Sequence, residues 1–179
     1  FYRKKKVLIT GHSGFKGSWL ASTLYCLEAE INGLSDMSVE SGIYKVLKQN
    51  KIFKNEYIVD ITDEDFVKNI LINNNYDIVF HFAAQGLVSK ASEDPKNTIL
   101  TNVLGTYNVL NATNLNKNIK NLIIATTDKV YDEHNAQNTE VFKLGGKEFY
   151  SASKASSEHI ISAFINTTKR SDLSIGVVR

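Results

Sequence analysis

Short apolar, β-branched runs recur along the whole chain, and most are followed by a stretch in which apolar residues return at helical spacing. Strands are expected at about 5–10 ("KKVLIT"), 30–35 ("EINGLS"), 56–60 ("EYIVD"), 76–82 ("YDIVFHF"), 121–127 ("NLIIATT") and 173–178 ("LSIGVV"). Helical spacing links Phe15, Leu20, Leu24 and Leu27, then Phe66, Ile70 and Leu71, then Leu100, Val103, Leu104, Tyr107 and Leu110. A further helix is expected over about 150–168, after "KLGGKEF". The acidic "TDED" at 62–65 supplies an N-cap candidate and first-turn carboxylates. Such alternation builds βαβ units, which feed one parallel sheet covered by helices on both faces. The polar, turn-rich segments 36–55 and 128–148 read as loop insertions. In a parallel sheet with right-handed crossovers the carboxyl ends of all strands share one edge, so "TGHSG", "HFAAQ" and "TTDK" converge there.

Length bounds the chain to one compact unit of 179 residues. A net charge of +2 gives no electrostatic case for nucleic acid as a partner, and "RKKK" near the start reads as a solvated lead-in to the first strand. The single Cys26, placed on an expected buried helix face, has no internal disulfide partner, and no Cys/His spacing points to a metal. No apolar run is long enough to cross a bilayer, and a cytoplasmic setting is the expectation. Phe1 at the start and Arg179 directly after the last strand-like run make both ends read as cut.

Gly11, Gly14 and Gly17 follow the first strand at intervals of three. A turn at Gly11 and a helix from about Gly14 would aim unpaired backbone N–H groups at a pyrophosphate. The spacing GxxGxxG differs from GxGxxG, and it lacks the Lys-Ser/Thr ending of an ATP-binding loop. His12 lies inside this loop, either against a cofactor or as a turn filler. An acidic ribose ligand usually ends the second strand. Asp36 stands slightly late for that role, beside Ser35, and is equally well read as a loop or capping residue. No Arg stands there for a 2′-phosphate, which tilts the choice toward NAD over NADP. Asp60 ends the third strand at the adenine edge, and Ala83, Ala84 and Gln85 form a small-residue wall after the fourth.

Tyr150 and Lys154 in "YSASK" are four apart, on one face of the last helix. A phenol serves as a base near neutrality only beside a positive charge, which Lys154 and an oxidised nicotinamide could supply. At the end of the fifth strand Thr126, Thr127, Asp128 and Lys129 follow in sequence. Thr127 can hydrogen-bond a substrate hydroxyl, Asp128 can act as an acid and Lys129 as a base, given shifted proton affinities. Taken alone, Asp128 and Lys129 equally describe a solvated loop pair. His81 reads as a hydrogen-bonded core residue, and His134 and His159 carry no partner pattern.

Together "TGHSGFKGSWL", "HFAAQGLV", "TNVLGTYNVL", "TTDKVY" and "LGGKEFYSASKASSEH" resemble the extended short-chain dehydrogenase/reductase superfamily, in its NAD-dependent epimerase/dehydratase family. Within it, "GFKGSWL", "DK" in place of Asp-Glu and "LGGKEFYSASKA" are similar to the branch that dehydrates CDP-glucose at positions 4 and 6. The resemblance implies a Rossmann-type doubly wound parallel sheet with helices on both faces and strand order 3-2-1-4-5-6. It implies NAD as cofactor and a nucleotide sugar, CDP-glucose, as substrate. Tyr150 would take the proton of the sugar C4 hydroxyl as hydride leaves C4. Lys154 would lower the tyrosine pKa and hold the nicotinamide ribose. Lys129 would remove the C5 proton, Asp128 would protonate the departing C6 hydroxyl, and hydride would return to C6. Gly11, Gly14 and Gly17 would hold the pyrophosphate, with Phe15 and Lys16 covering the loop. Asp60 and Ile61 would flank adenine, Phe82 to Gln85 and Thr126 would line the cofactor, and Asn102 would sit beneath it. Family members continue past the strand that ends near 178, so residues 1–179 are expected to be the cofactor half, inactive alone. The helices near 97–114 and 150–168 correspond to a four-helix homodimer interface. Another sugar-nucleotide dehydratase, a 4-epimerase and a non-catalytic NAD-binding module remain alternatives.

Overall fold

The computed structural model describes residues 1–37, 42–132 and 139–179. Its centre is one six-stranded sheet: β1 (Lys6–Thr10), β2 (Glu30–Ser35), β3 (Phe53–Ile58), β4 (Ile78–His81), β5 (Asn121–Ala125) and β6 (Ser174–Val178). All pairs are parallel, in the order β3-β2-β1-β4-β5-β6. Chain order reverses beside β1, and a crevice opens there at the strands' carboxyl ends.

Alternation along β1 divides the core. Val7 and Ile9 join Ile31, Ile78 and Phe80 beneath α1 (Phe15–Cys26) and α2 (Gly42–Gln49), which contribute Ala21, Leu24 and Leu47. Leu8 joins Leu34, Val79, Leu122 and Ile124 on the opposite face. That face is covered by Val67 and Leu71 of α3 (Glu64–Asn73), Val109 and Leu110 of α6 (Gly105–Leu115) and Ile161 of α7 (Phe149–Thr167). Asp63 caps α3 by accepting from Phe66 N–H, as "TDED" predicts. Between β4 and α6 the chain forms α4 (Val88–Glu93), α5 (Pro95–Ile99) and a π-turn, Leu100–Leu104.

Several expectations give way. Segment 36–55 is not a loop insertion, because α2 buries Tyr44 and Leu47 three residues apart and β3 already begins at Phe53. β3 is an edge strand with largely exposed residues, so its pattern lacks the apolar run that marks the inner strands. In 128–148 a 3₁₀ turn, Asp128–Val130, and a Tyr131–Leu144 bridge are formed. His134 lies outside the described residues. Cys26 and Phe15 are exposed, because α1 packs through the small stripe Gly17, Ser18, Ala21 and Leu24. Phe66 is exposed as well, and Val67 takes the core position. In the third helical stretch Leu100, Leu104 and Tyr107 face outward while Asn102, Thr106 and Asn108 are buried, since the wider π-turn rotates the helix face.

Candidate functional site

The glycine loop is held from below. Gly11 has φ +72°, and a Cβ there would lie 2.7 Å from Ala83 N on the β4 exit. Gly17 lets α1 descend onto the carbonyl of Gly11, where any side chain would collide with backbone. Gly14 is the N-cap of α1 and offers no side-chain oxygen to the first-turn N–H groups. Those donors and the helix dipole suit an anionic ligand. Ser13 Oγ donates to the carbonyl of Met37 and lies within hydrogen-bond distance of Ser35 Oγ, tying the loop to the end of β2. The imidazole of His12 turns away from the crevice. It is fully buried over Gly33, edge-on to Tyr44 and Phe53, and its Nε2 lies 3.0 Å from Glu56 Oε1.

Beside the loop lies a cleft of about 240 Å³ that collects Gly11, Gly14, Asp36, Asp60, Ile61, Phe82, Ala83 and Ala84 of the expected set. Asp36 is exposed at its mouth. Asp60 stands in the turn after β3, where Oδ1 accepts from the N–H and hydroxyl of Thr62. Ile61 is buried against Gly105. Ser13, Met37, Val59, Asn97 and Thr101 also line the cleft. Only tertiary placement brings these to it, although the polar "HSG" was a local signal for Ser13.

Gln85 and Asn102 do not line this cleft but are bonded to each other behind it. The fully buried amide of Asn102 accepts from Gln85 N–H at 2.8 Å and donates to Gln85 O at 3.0 Å and to Ser153 Oγ at 2.8 Å. Both amide protons and one oxygen lone pair are used, which fixes the amide orientation. The loop after β4, the π-turn and α7 are thereby joined at one side chain.

α7 begins at Glu148, whose carboxylate accepts from the N–H groups of Tyr150 and Ser151 while Ser151 Oγ approaches Glu148 N–H, forming a capping box. Tyr150 is half-buried in this first turn. One turn on, Lys154 is buried and its Nζ donates to the carbonyl of Ala125 at 3.1 Å. Burial, then the charge of Lys16, pull its pKa down to about 8, against the opposing influence of Glu158. Exposed Lys16 thus sits close enough to act electrostatically on Lys154. Thr126 is buried and donates to Glu158 Oε1 at 2.6 Å, so its hydroxyl is spoken for. Glu158 also holds Arg179, through Nε at 2.9 Å and through Nη2, and Arg179 Nη1 donates to Tyr131 Oη. Thr127 N-caps the 3₁₀ turn, and Asp128 and Lys129 are exposed on it. The sequence reading missed Glu158, Arg179, Ser153 and Ser157; the spacing Tyr150–Ser153–Ser157 was the available hint.

A profile of the family described as GDP-mannose 4,6 dehydratase matches residues 8–176. The chain belongs to the GDP-mannose 4,6 dehydratase family. This family is of the NAD-dependent epimerase/dehydratase type. The chain is 36% identical over 170 residues to a Salmonella typhimurium protein named CDP-glucose 4,6-dehydratase, covering 93% of this chain and 47% of that protein. It is 33% identical over 182 residues to a Dictyostelium discoideum dTDP-D-glucose 4,6-dehydratase, covering 92% and 41%. Among solved structures, UDP-glucose 4-epimerase of Thermus thermophilus in complex with NAD superposes with a TM-score of 0.82 at 27% identity, over 97% of this chain and 54% of that one. Pal from Bacillus thuringiensis gives 0.85 at 25%, over 97% and 55%. The chain spans about half the length of these relatives. Family membership accounts for the strand order and for the meeting of a glycine loop with a Tyr/Lys helix at one sheet edge.

Proposed function

We propose that residues 1–179 form the cofactor-binding half of a sugar-nucleotide 4,6-dehydratase that acts on CDP-glucose with a tightly held NAD. The observation that carries this reading is the bond from Lys154 Nζ to Ala125 O. It ties the Tyr150–Lys154 helix to the strand that runs directly into Thr127, Asp128 and Lys129.

The residues present fit the dinucleotide. The open first turn of α1 and the side-chain-free approach at Gly11 form a cradle for the pyrophosphate. The cleft beside it has apolar walls from Leu34, Val59 and Ile61 for a base, and Asp36 at its mouth for a ribose. NAD would supply, when bound, a hydride acceptor for C4 and then a hydride donor for C6, so that it is regenerated. Tyr150 takes the proton from the C4 hydroxyl, and the Lys154 cation lowers the cost of the phenolate. Thr127 holds the sugar hydroxyl. Once C4 is a ketone its C5 proton is acidic; Lys129 removes it while Asp128 protonates the C6 hydroxyl that leaves as water. Asp128 and Lys129 are exposed here, so the desolvation these roles require comes from the bound sugar and the rest of the full-length protein. The identity to the Salmonella protein and Lys129 in the base position support CDP-glucose.

A homodimer belongs to the same reading. Ile99, Leu100, Leu104 and Tyr107 expose an apolar band on the α5–π-turn–α6 segment, and Ile160 lies exposed on α7. A cytoplasmic setting is in keeping with the free Cys26. The test incubates the full-length protein with CDP-glucose, dTDP-glucose and GDP-mannose and follows the alkaline absorbance of the 4-keto product. Preference for CDP-glucose is expected. Preference for another nucleotide, or no keto sugar from any, overturns the reading.

A further inference from the structure

The structure assigns to His81 a positioning role: it is the pin of a one-way chain of hydrogen bonds that runs through the sheet from Thr10, beside the phosphate loop, to the carbonyl of Tyr150. The directions follow from proton counting. Thr10 Oγ1 accepts from Ala83 N–H at 3.2 Å and shares Phe82 N–H, at 3.2 Å, with the carbonyl of Thr10, at 3.0 Å; His81 Nδ1, at 2.7 Å, is the acceptor for its own proton. Nε2 of His81 then carries the ring proton and donates to Thr106 Oγ1 at 3.0 Å. Thr106 passes its own proton to the carbonyl of Asn102 at 2.6 Å. From the same residue the amide donates to Ser153 Oγ at 2.8 Å, and Ser153 donates to Tyr150 O at 2.7 Å. Ser157 Oγ lies 2.8 Å from both Asn102 O and Ser153 O, and its one proton is shared between these two acceptors.

Thr10, His81, Asn102, Thr106, Ser153 and Ser157 are all buried. Each step uses one donor and one acceptor, and only the neutral Nε2–H imidazole satisfies both ends. A protonated ring would take the acceptor away from the Thr10 hydroxyl, and the other tautomer would in addition leave Nε2 with no proton for Thr106, whose own proton goes to Asn102 O. Burial, reinforced by the charge of Lys154, holds the pKa of His81 down to about 3, so the neutral form persists through the physiological range. A fully satisfied buried network of this kind specifies one arrangement of the elements it joins, where apolar packing would permit sliding. The elements joined are β1, the β4 exit, the π-turn and the first turn of α7. These set the distance between the phosphate loop and Tyr150. His81 is buried with both ring nitrogens engaged, so it acts through Asn102.

The effect on turnover rests on the dehydratase reading, but the positioning can be read without it. The experiment uses full-length wild type, His81→Leu, Thr106→Val and Thr106→Ser. It measures kcat and KM for keto-sugar formation together with amide hydrogen exchange over 149–157. Breaking the chain in His81→Leu or Thr106→Val is expected to lower kcat about tenfold to a hundredfold, as small misplacements of catalytic groups do, with KM changed less than about threefold. Exchange in 150–154 is expected to accelerate in both, and Thr106→Ser, which restores the hydroxyl, to recover both readouts. Thr106→Val is nearly isosteric and carries the test if His81→Leu does not fold. Unchanged exchange at 150–154 in Thr106→Val overturns the proposal, as does failure of Thr106→Ser to recover it. If the wild type forms no keto sugar while exchange behaves as expected, the dehydratase reading falls and the positioning role of His81 stands.

Discussion

Lys154 donates from Nζ to the carbonyl oxygen of Ala125 at 3.1 Å, and the bond crosses from the middle of a helix turn to the last residue of a central strand. The ammonium is buried and faces a backbone carbonyl. Its strong local partner therefore carries no countercharge. A cation so placed is costly to the fold, and in the proposed function that cation stabilises the Tyr150 phenolate.

That cost has a sign in pH. Lys154 has its pKa lowered from 10.5 to about 8 in the folded chain, so between those values the unfolded chain binds more protons and stability rises with pH. Below 8 the destabilisation is fully present. The stability of wild type relative to Lys154→Met is expected to improve by on the order of 2 kcal/mol from pH 7 to pH 10, measured by urea unfolding. Turnover should fall as pH rises through about 8, as the cation is lost.

The parts of this site legible in the sequence are those with short spacing. The glycine triplet and the Tyr150–Lys154 pair declare themselves within a few residues, since a βα turn and one helix turn are local geometries. The strand order also followed, through the family resemblance. What stayed hidden depends on strands meeting. Thr10 reaches His81 because β1 pairs with β4 in a register that sets the two residues side by side. Glu158 reaches Arg179 because β6 ends beside α7. Phe15 and Cys26 misled because helical spacing identifies a face without saying whether small or large residues pack it.

Glu158 and Arg179 form a second anchor. The carboxylate is buried and receives Thr126 and the Nε–Nη2 edge of the guanidinium, which holds Arg179 charged to still higher pH than usual. Arg179→Met strands the carboxylate and is expected to cost about 3 kcal/mol. The double variant Glu158→Gln/Arg179→Met should recover a large part of that loss. Additive losses in denaturant unfolding would contradict a coupled pair.

Glycines at two places should respond differently. Gly17→Ala drives a methyl into the backbone of Gly11 and is expected to destabilise by about 2–3 kcal/mol, with loss of dinucleotide affinity. Gly176→Ala meets open space on the edge strand β6, and its melting temperature and affinity should match wild type. Calorimetry and NAD titration of both variants check the contrast.

Arg170 closes the far end of α6. Its Nη1 donates to the carbonyls of Thr113, Asn114 and Asn116, and its Nη2 to that of Ile119. A lysine cannot reproduce this fork, so Arg170→Lys should lower stability by about 2 kcal/mol while leaving NAD affinity within error. Denaturant unfolding beside NAD titration separates the two.

The most direct measurement compares full-length wild type with Tyr150→Phe on CDP-glucose, following the 4-keto product and NAD affinity in the same preparations. Wild type should form the product, and Tyr150→Phe should bind NAD comparably while losing about a thousandfold or more of the rate, as expected when a general base is removed. Equal product formation by both proteins would contradict a dehydratase that works through Tyr150.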